Sequence, residues 1–127
     1  MVDTLGLLLV VVVHAADIQD RDGAKLVLKG IKQYFWKLKV IWADGGYAGK
    51  LVLWAHRYYP WKLEIVKRTD NLKGFKVVPK RWIVERTFGW LNHYRRLAKD
   101  YEPDCKTSET MVYLAMIHLM VRRLSKT

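Results

Sequence analysis

Two carboxylates sit in surroundings that suit metal-dependent chemistry. Asp44 closes an apolar stretch and is followed by Gly45, Gly46 and Tyr47, and Glu85 stands among Arg81, Gly89, Asn92 and Arg96. Hard divalent cations prefer oxygen ligands, so a site built from Asp and Glu needs no Cys or His cluster. The chemistry that would unite the two positions is phosphoryl transfer with two Mg2+ ions about 4 Å apart, clamped by carboxylates from separate elements. One ion would activate water or a 3′-hydroxyl, and the other would stabilise the leaving oxygen. Each residue also has a plainer reading. Asp-Gly is a strong turn signal, and Arg81 and Glu85 lie one helical turn apart, where an exposed pair contributes only about 0.2–0.5 kcal/mol.

Both positions depend on the elements expected to carry them. Residues 7–14 form a continuous apolar run with four consecutive valines, as a strand covered on both faces would. A polar loop follows, and Asp22 is a candidate cap for a helix over 23–36, with Leu26, Ile31 and Phe35 among its apolar contacts and Gly30 weakening it. Residues 39–43 read as a second strand ending at Asp44, 48–58 as a helix, and 62–66 as a third strand. Ligand sites in open α/β sheets lie beyond the carboxyl ends of strands, which is where Asp44 would stand. Alternating strands and helices predict an α/β fold with helical crossovers.

Residues 67–80 are basic, contain Gly74 and Pro79, and read as an irregular loop. A helix over 81–98 follows. At 100° per residue, Ile83, Thr87, Trp90, Leu91 and Tyr94 share one face, which should meet a core, while Arg81, Glu85, Gly89, Asn92 and Arg96 form the opposite stripe. That stripe is a candidate to face both a metal and a phosphate backbone. After Pro103, Thr107 or Ser108 should cap a last helix to about Leu124, apolar nearly all round and therefore expected to be largely buried.

The 127 residues carry 23 Lys and Arg against 12 Asp and Glu, a net charge of +11. Such a surface attracts polyanions, and nucleic acid is the favoured partner because the cations are interspersed with aromatics rather than massed in a tail. Lys67, Arg68, Lys73, Lys76 and Lys80 are chosen, on charge density alone, as a DNA-contacting stretch. One cysteine, Cys105, excludes an internal disulfide and a multi-thiolate zinc site, and fits a reducing cytoplasm. The apolar run near the start is too short to span a bilayer and lacks a basic lead, so neither a signal peptide nor a membrane anchor is expected. The four histidines show no ligand spacing, and the six tryptophans are expected to be packing residues rather than base-stacking platforms.

The motifs themselves resemble a family. Val2-Asp3-Thr4-Leu5-Gly6, the run after it, and Ala15-Ala16-Asp17-Ile18-Gln19-Asp20-Arg21-Asp22 are similar to the middle of bacterial insertion-sequence DDE transposases. Trp42-Ala43-Asp44-Gly45-Gly46-Tyr47 resembles their second-aspartate motif. The string Arg81-Trp82-Ile83-Val84-Glu85-Arg86-Thr87-Phe88-Gly89-Trp90-Leu91, continued by Tyr94-Arg95-Arg96-Leu97, resembles their glutamate helix. The resemblance runs from Val2 to near the end. It implies a single partial catalytic domain over 1–127, with a truncated ribonuclease-H-like sheet and two C-terminal helices. It also implies Mg2+ or Mn2+ as cofactor, duplex DNA as partner, and DNA transposition by cutting and rejoining element ends.

The resemblance also implies a gap. The family's first catalytic aspartate lies on an earlier strand, upstream of the Val-Asp-Thr string, and Asp3 matches a non-catalytic position at a strand end. Val78 stands where a tyrosine is often found, and Asn92 where a lysine is expected, which puts a DNA contact at 92 in doubt. The chain is therefore expected to be inactive alone, either as the second product of a split frame whose upstream polypeptide supplies the aspartate or as a remnant. Alternatives are a non-catalytic, regulatory DNA-binding module, or a basic structural protein that self-associates through a bare strand edge.

Overall fold

The strongest local signals form the elements expected of them, and the departures occur where a segment needed a partner. The computed structural model of the chain describes residues 1–66, 81–97, 99 and 102–126. The predicted DNA-contacting stretch Lys67, Arg68, Lys73, Lys76 and Lys80 lies outside the described residues, as does the side chain of Arg81. The fold is mixed α/β and divides into two compact units: Met1–Ala16 with Trp82–Thr127, and Asp17–Arg81.

The Asp17–Arg81 unit is a short βαβ assembly with one preceding helix. Helix α1 (Asp20–Tyr34) begins earlier than the sequence suggests. Its N-cap is Gln19, which makes no side-chain cap bond, and Asp22 lies inside the first turn beside Asp20 rather than capping it. Two carboxylates there face the positive end of the helix dipole, which favours the earlier start. Leu28 and Ile31 supply the buried stripe, whereas Leu26 is 46% exposed and Phe35 is the half-buried C-cap. Strand β1 (Val40–Asp44) runs parallel to β2 (Lys62–Val66), with Val40 opposite Lys62 and Asp44 opposite Val66. A parallel pair cannot be closed by a tight turn, and helix α2 (Lys50–Tyr58) makes the crossover.

Gly49 starts α2 at φ 93°, a left-handed backbone open to glycine at little cost. The core gathers Leu28, Ile31, Ile41, Leu51, Ala55, Tyr59, Trp61 and Leu63, with the Tyr59 and Trp61 rings stacked at 4.6 Å.

The other unit is built differently. Residues 7–14, expected as a buried strand, are not one: an isolated antiparallel bridge joins Val2 to Leu8, and the run beyond has no ladder. A strand is stable only when its N–H and C=O groups find a neighbour, and here helix side chains serve. Val11 N–H donates to Tyr113 Oη at 3.2 Å and Val13 N–H to Glu109 Oε1 at 2.9 Å. Both acceptors belong to α4 (Cys105–Ser125), so the extended run lies along a helix instead of in a sheet.

Helix α3 (Arg81–Asn92) stops short of the expected 98, with a separate 3-10 turn at Arg95–Leu97. Its inner face is as predicted: Ile83, Thr87 and Leu91 are buried, and Trp90 and Tyr94 are half-buried. Leu91 packs with Ala115 and Met116 of α4, joined by Leu7, Leu8, Tyr94, Leu97 and Val112.

The cap of α4 is Asp104, whose carboxylate accepts from Thr107 N–H, so the predicted Thr107 or Ser108 cap moves one turn upstream. The expectation that α4 is largely buried fails. Only Ala115 and Met116 are, while Leu114, Ile117 and Val121 are each more than half exposed. One neighbouring helix and one extended segment cannot cover the full circumference of a 21-residue helix.

Candidate carboxylate and cationic sites

Asp44 is the last residue of β1 and is exposed. Its Oδ1 accepts the Gly46 N–H at 2.9 Å and so caps a 3-10 turn over Gly45–Tyr47. The turn reading and the ligand reading are thus both compatible with one side chain, because Oδ2 has no hydrogen-bond partner among the described residues. A Cβ added at Gly45 would meet nothing within 4 Å, so the approach beside the carboxylate is open.

Two neighbours of this turn escaped the sequence reading. Arg21 Nε donates to Gly46 O at 3.0 Å, tying the start of α1 to the strand end. Burial, and then the charges of Asp20 and Asp44, push the Tyr47 phenol above its ordinary 10.0. Asp20 and Asp44 therefore share one neighbourhood, which spacing along the chain gave no means of seeing.

Glu85 is exposed on α3, as are Gly89 and Asn92, so the outer stripe exists where periodicity put it. Arg96 falls outside α3: it lies in the Arg95–Leu97 turn and its Nε sits 2.6 Å from Glu102 Oε1. Asp44 and Glu85 belong to different units. Among the described residues, no group of three or more His, Cys, Asp or Glu side chains could hold a metal ion. Asp3 shapes a turn of its own: its Oδ1 accepts from both Leu5 N–H and Leu7 N–H at 2.9 Å.

That Asp3 turn packs on α3 through Gly6, whose φ is 83°. A Cβ there would come within 2.9 Å of Thr87 Oγ1 and 3.1 Å of the Trp90 ring, so only glycine fits. Thr87 Oγ1 donates to Gly6 O at 2.6 Å, and an Arg86 guanidinium nitrogen donates to Leu5 O at 2.8 Å.

The same Arg86 guanidinium lies 4.4 Å from the Trp82 ring centre and 4.7 Å from that of Trp90, and Arg123 lies 4.2 Å from Trp90. The i, i+4, i+8 spacing of Trp82, Arg86 and Trp90 was a legible signal for this stack that the sequence reading did not use. The tryptophans are accordingly not all packing residues. Trp61 is buried, but Trp36, Trp42 and Trp82 are 72%, 41% and 45% exposed.

The chain is a mixed α/β protein in which the first strand of a βαβ unit ends in one exposed carboxylate and helix α3 carries another. The family profile described as transposase DDE domain matches residues 1–120, and the chain belongs to that family. Searches of curated proteins and of solved structures each returned no match. Among the described residues, no helix is long and apolar enough to cross a membrane.

Proposed function

We propose that this chain is the C-terminal part of an insertion-sequence transposase with a ribonuclease-H-like catalytic domain, supplying two of three metal-holding carboxylates for polynucleotidyl transfer. The single observation that carries the reading is the family match across both acidic motifs, Asp44 at a strand end and Glu85 on an exposed helix face. The donor chemistry fits Mg2+ or Mn2+: hard carboxylate oxygens, one of them on Asp44 without a hydrogen-bond partner among the described residues, beside open space at Gly45. Bound by these residues, the divalent ions supply activation of the attacking oxygen and neutralisation of the leaving one. The chain's own contribution is positional. Asp44 Oδ1 fixes the turn at the end of β1, and the Arg21 contact to Gly46 O holds that turn against α1.

Duplex DNA is the partner, with Lys67, Arg68, Lys73, Lys76, Lys80, Arg81 and Asn92 as backbone contacts and the cytoplasm as the setting. Arg96 is kept as a contact only where the DNA displaces Glu102. On this reading these 127 residues do not cut DNA by themselves, because Asp3 takes the non-catalytic position at the end of the Val-Asp-Thr string and its Oδ1 holds a turn of its own. A polypeptide bearing an aspartate on an added strand would complete the site.

The test is incubation of the purified chain with supercoiled plasmid and Mn2+. No nicking above background is expected from the chain alone. Robust nicking that disappears in Glu85→Ala would overturn the inactivity, and Mn2+ binding unaffected by Asp44→Asn and Glu85→Gln would overturn the ligand assignment.

A further inference from the structure

We infer that a groove formed by the end of α3 and the last turns of α4 is a second phosphate-contact surface for duplex DNA, built from residues other than the two carboxylates and the 67–80 stretch. The inference rests on the DNA-handling role proposed above and adds a surface to it. The groove is shallow, about 450 Å³, and its walls include Trp90, Tyr94, His118, Arg122, Arg123 and Lys126. Among the described residues, no carboxylate lines it. From residue 110 onward the sequence contains no Asp or Glu at all, so no acidic side chain on the last four turns of α4 offsets the three cations that gather at its end.

Its floor is fixed rather than fluid. Tyr94 Oη and His118 Nδ1 are hydrogen-bonded at 2.8 Å, with the two rings edge to face at 5.6 Å. Arg123 is held over Trp90 at 4.2 Å while Arg86 lies 4.7 Å from the same ring. Two guanidiniums around one indole concentrate positive charge that the ring quadrupole offsets only in part. Arg86 Nε, buried, has no hydrogen-bond partner among the described residues.

A helix C-terminus accounts for a cation or two in its last turn through the dipole. It does not account for a concave surface, without acids among its described lining residues, and with an arginine already stacked in place. Guanidinium held in a fixed orientation loses little freedom on meeting a phosphate and can make paired charge-assisted bonds.

The groove is not the carboxylate site under another name. Trp90 lies five residues beyond Glu85, about 7.5 Å along the helix and about 140° around it. Losing the groove should therefore weaken DNA binding without touching metal binding.

The experiment is fluorescence anisotropy of the full chain with a labelled duplex of arbitrary sequence, titrated across salt concentrations. Each phosphate contact contributes about 0.9 to the slope of log affinity against log salt. Arg122→Gln with Lys126→Gln, both on exposed positions, should lower that slope by nearly 2. At about 0.1 M salt the affinity should fall about 10- to 100-fold. Arg123→Gln alone should lower the slope by about 1, with the unfolding midpoint recorded for each variant so that fold loss is seen directly. A charge-matched control, Lys37→Gln with Lys39→Gln, should leave the slope unchanged.

A wild-type slope near zero would sink the DNA reading itself. A steep wild-type slope that neither groove variant alters would overturn the groove alone, as would an equal effect of the control pair, which would mark net charge as the cause. Loss of binding confined to an acidic polypeptide such as polyglutamate would instead assign the surface to protein.

Discussion

The two units solve the same problem, the satisfaction of backbone polar groups beside an apolar core, by different means. In Asp17–Arg81 the β1–β2 ladder satisfies the strands, and the crossover helix α2 follows from their parallel order. In the unit made from both ends of the chain, an apolar run with the composition of a strand is satisfied by Tyr113 and Glu109 on a helix. The first solution is local, within about 30 residues, and repeats a pattern that periodicity describes. The second joins groups about 100 positions apart and depends on single side chains. Ladder-built structure is therefore readable from composition, and side-chain-built structure is not.

Removing core volume should separate the two units most strongly. Ile31→Ala, at a fully buried position of the Asp17–Arg81 core, should cost about 2–5 kcal/mol. Hydrogen exchange should then rise first in amides of α1 and α2, and equal loss of protection in α4 would remove the distinction between the units. Thr87→Val probes the side-chain-built unit. It leaves the Gly6 carbonyl without its 2.6 Å donor and should destabilise by about 1–3 kcal/mol in denaturant melts. A neutral result would show that the Thr87 bond is not what holds the Gly6 turn to α3.

Asp44 should give a smaller effect that divides by substitution. Asp44→Ala loses the turn cap and should cost about 1 kcal/mol, while Asp44→Asn keeps a capping oxygen and should cost a few tenths. Mn2+ binding should fall in both, and retention in the asparagine variant would break the link between cap and ligand.

The smallest effect concerns Tyr47. Its folded phenol ionises above the ordinary 10.0 because of burial first and then Asp20 and Asp44. The neutral form is thus favoured in the folded state, and the stability this gives is present below pH 10.0 and lost as pH rises through the folded value. In metal-free buffer, Tyr47→Phe should flatten the alkaline limb of the stability curve. An unchanged limb would show that neither burial nor the two carboxylates shifts the Tyr47 phenol.

What could be read in the sequence follows this division. Residues 62–66 are β2 residue for residue, and β1 and α2 are displaced by one or two positions, because each is set by local apolar pattern and turn residues. The inner face of α3 and the exposure of Glu85 came from the 3.6-residue period alone. The Trp82, Arg86 and Trp90 spacing was equally visible and went unused.

The amino-acid order by itself determined the charge, the helix faces, the strand ending in Asp44 and the family motifs. Only tertiary structure decided that residues 7–14 lie along α4 without a ladder, that most of α4 is uncovered, and that Asp20 and Asp44 meet around Tyr47. It also decided that Arg123 stands over Trp90. The reason is physical: propensity and periodicity act over a few residues, whereas a hydrogen-bond donor or a buried face accepts whichever partner the rest of the chain brings to it.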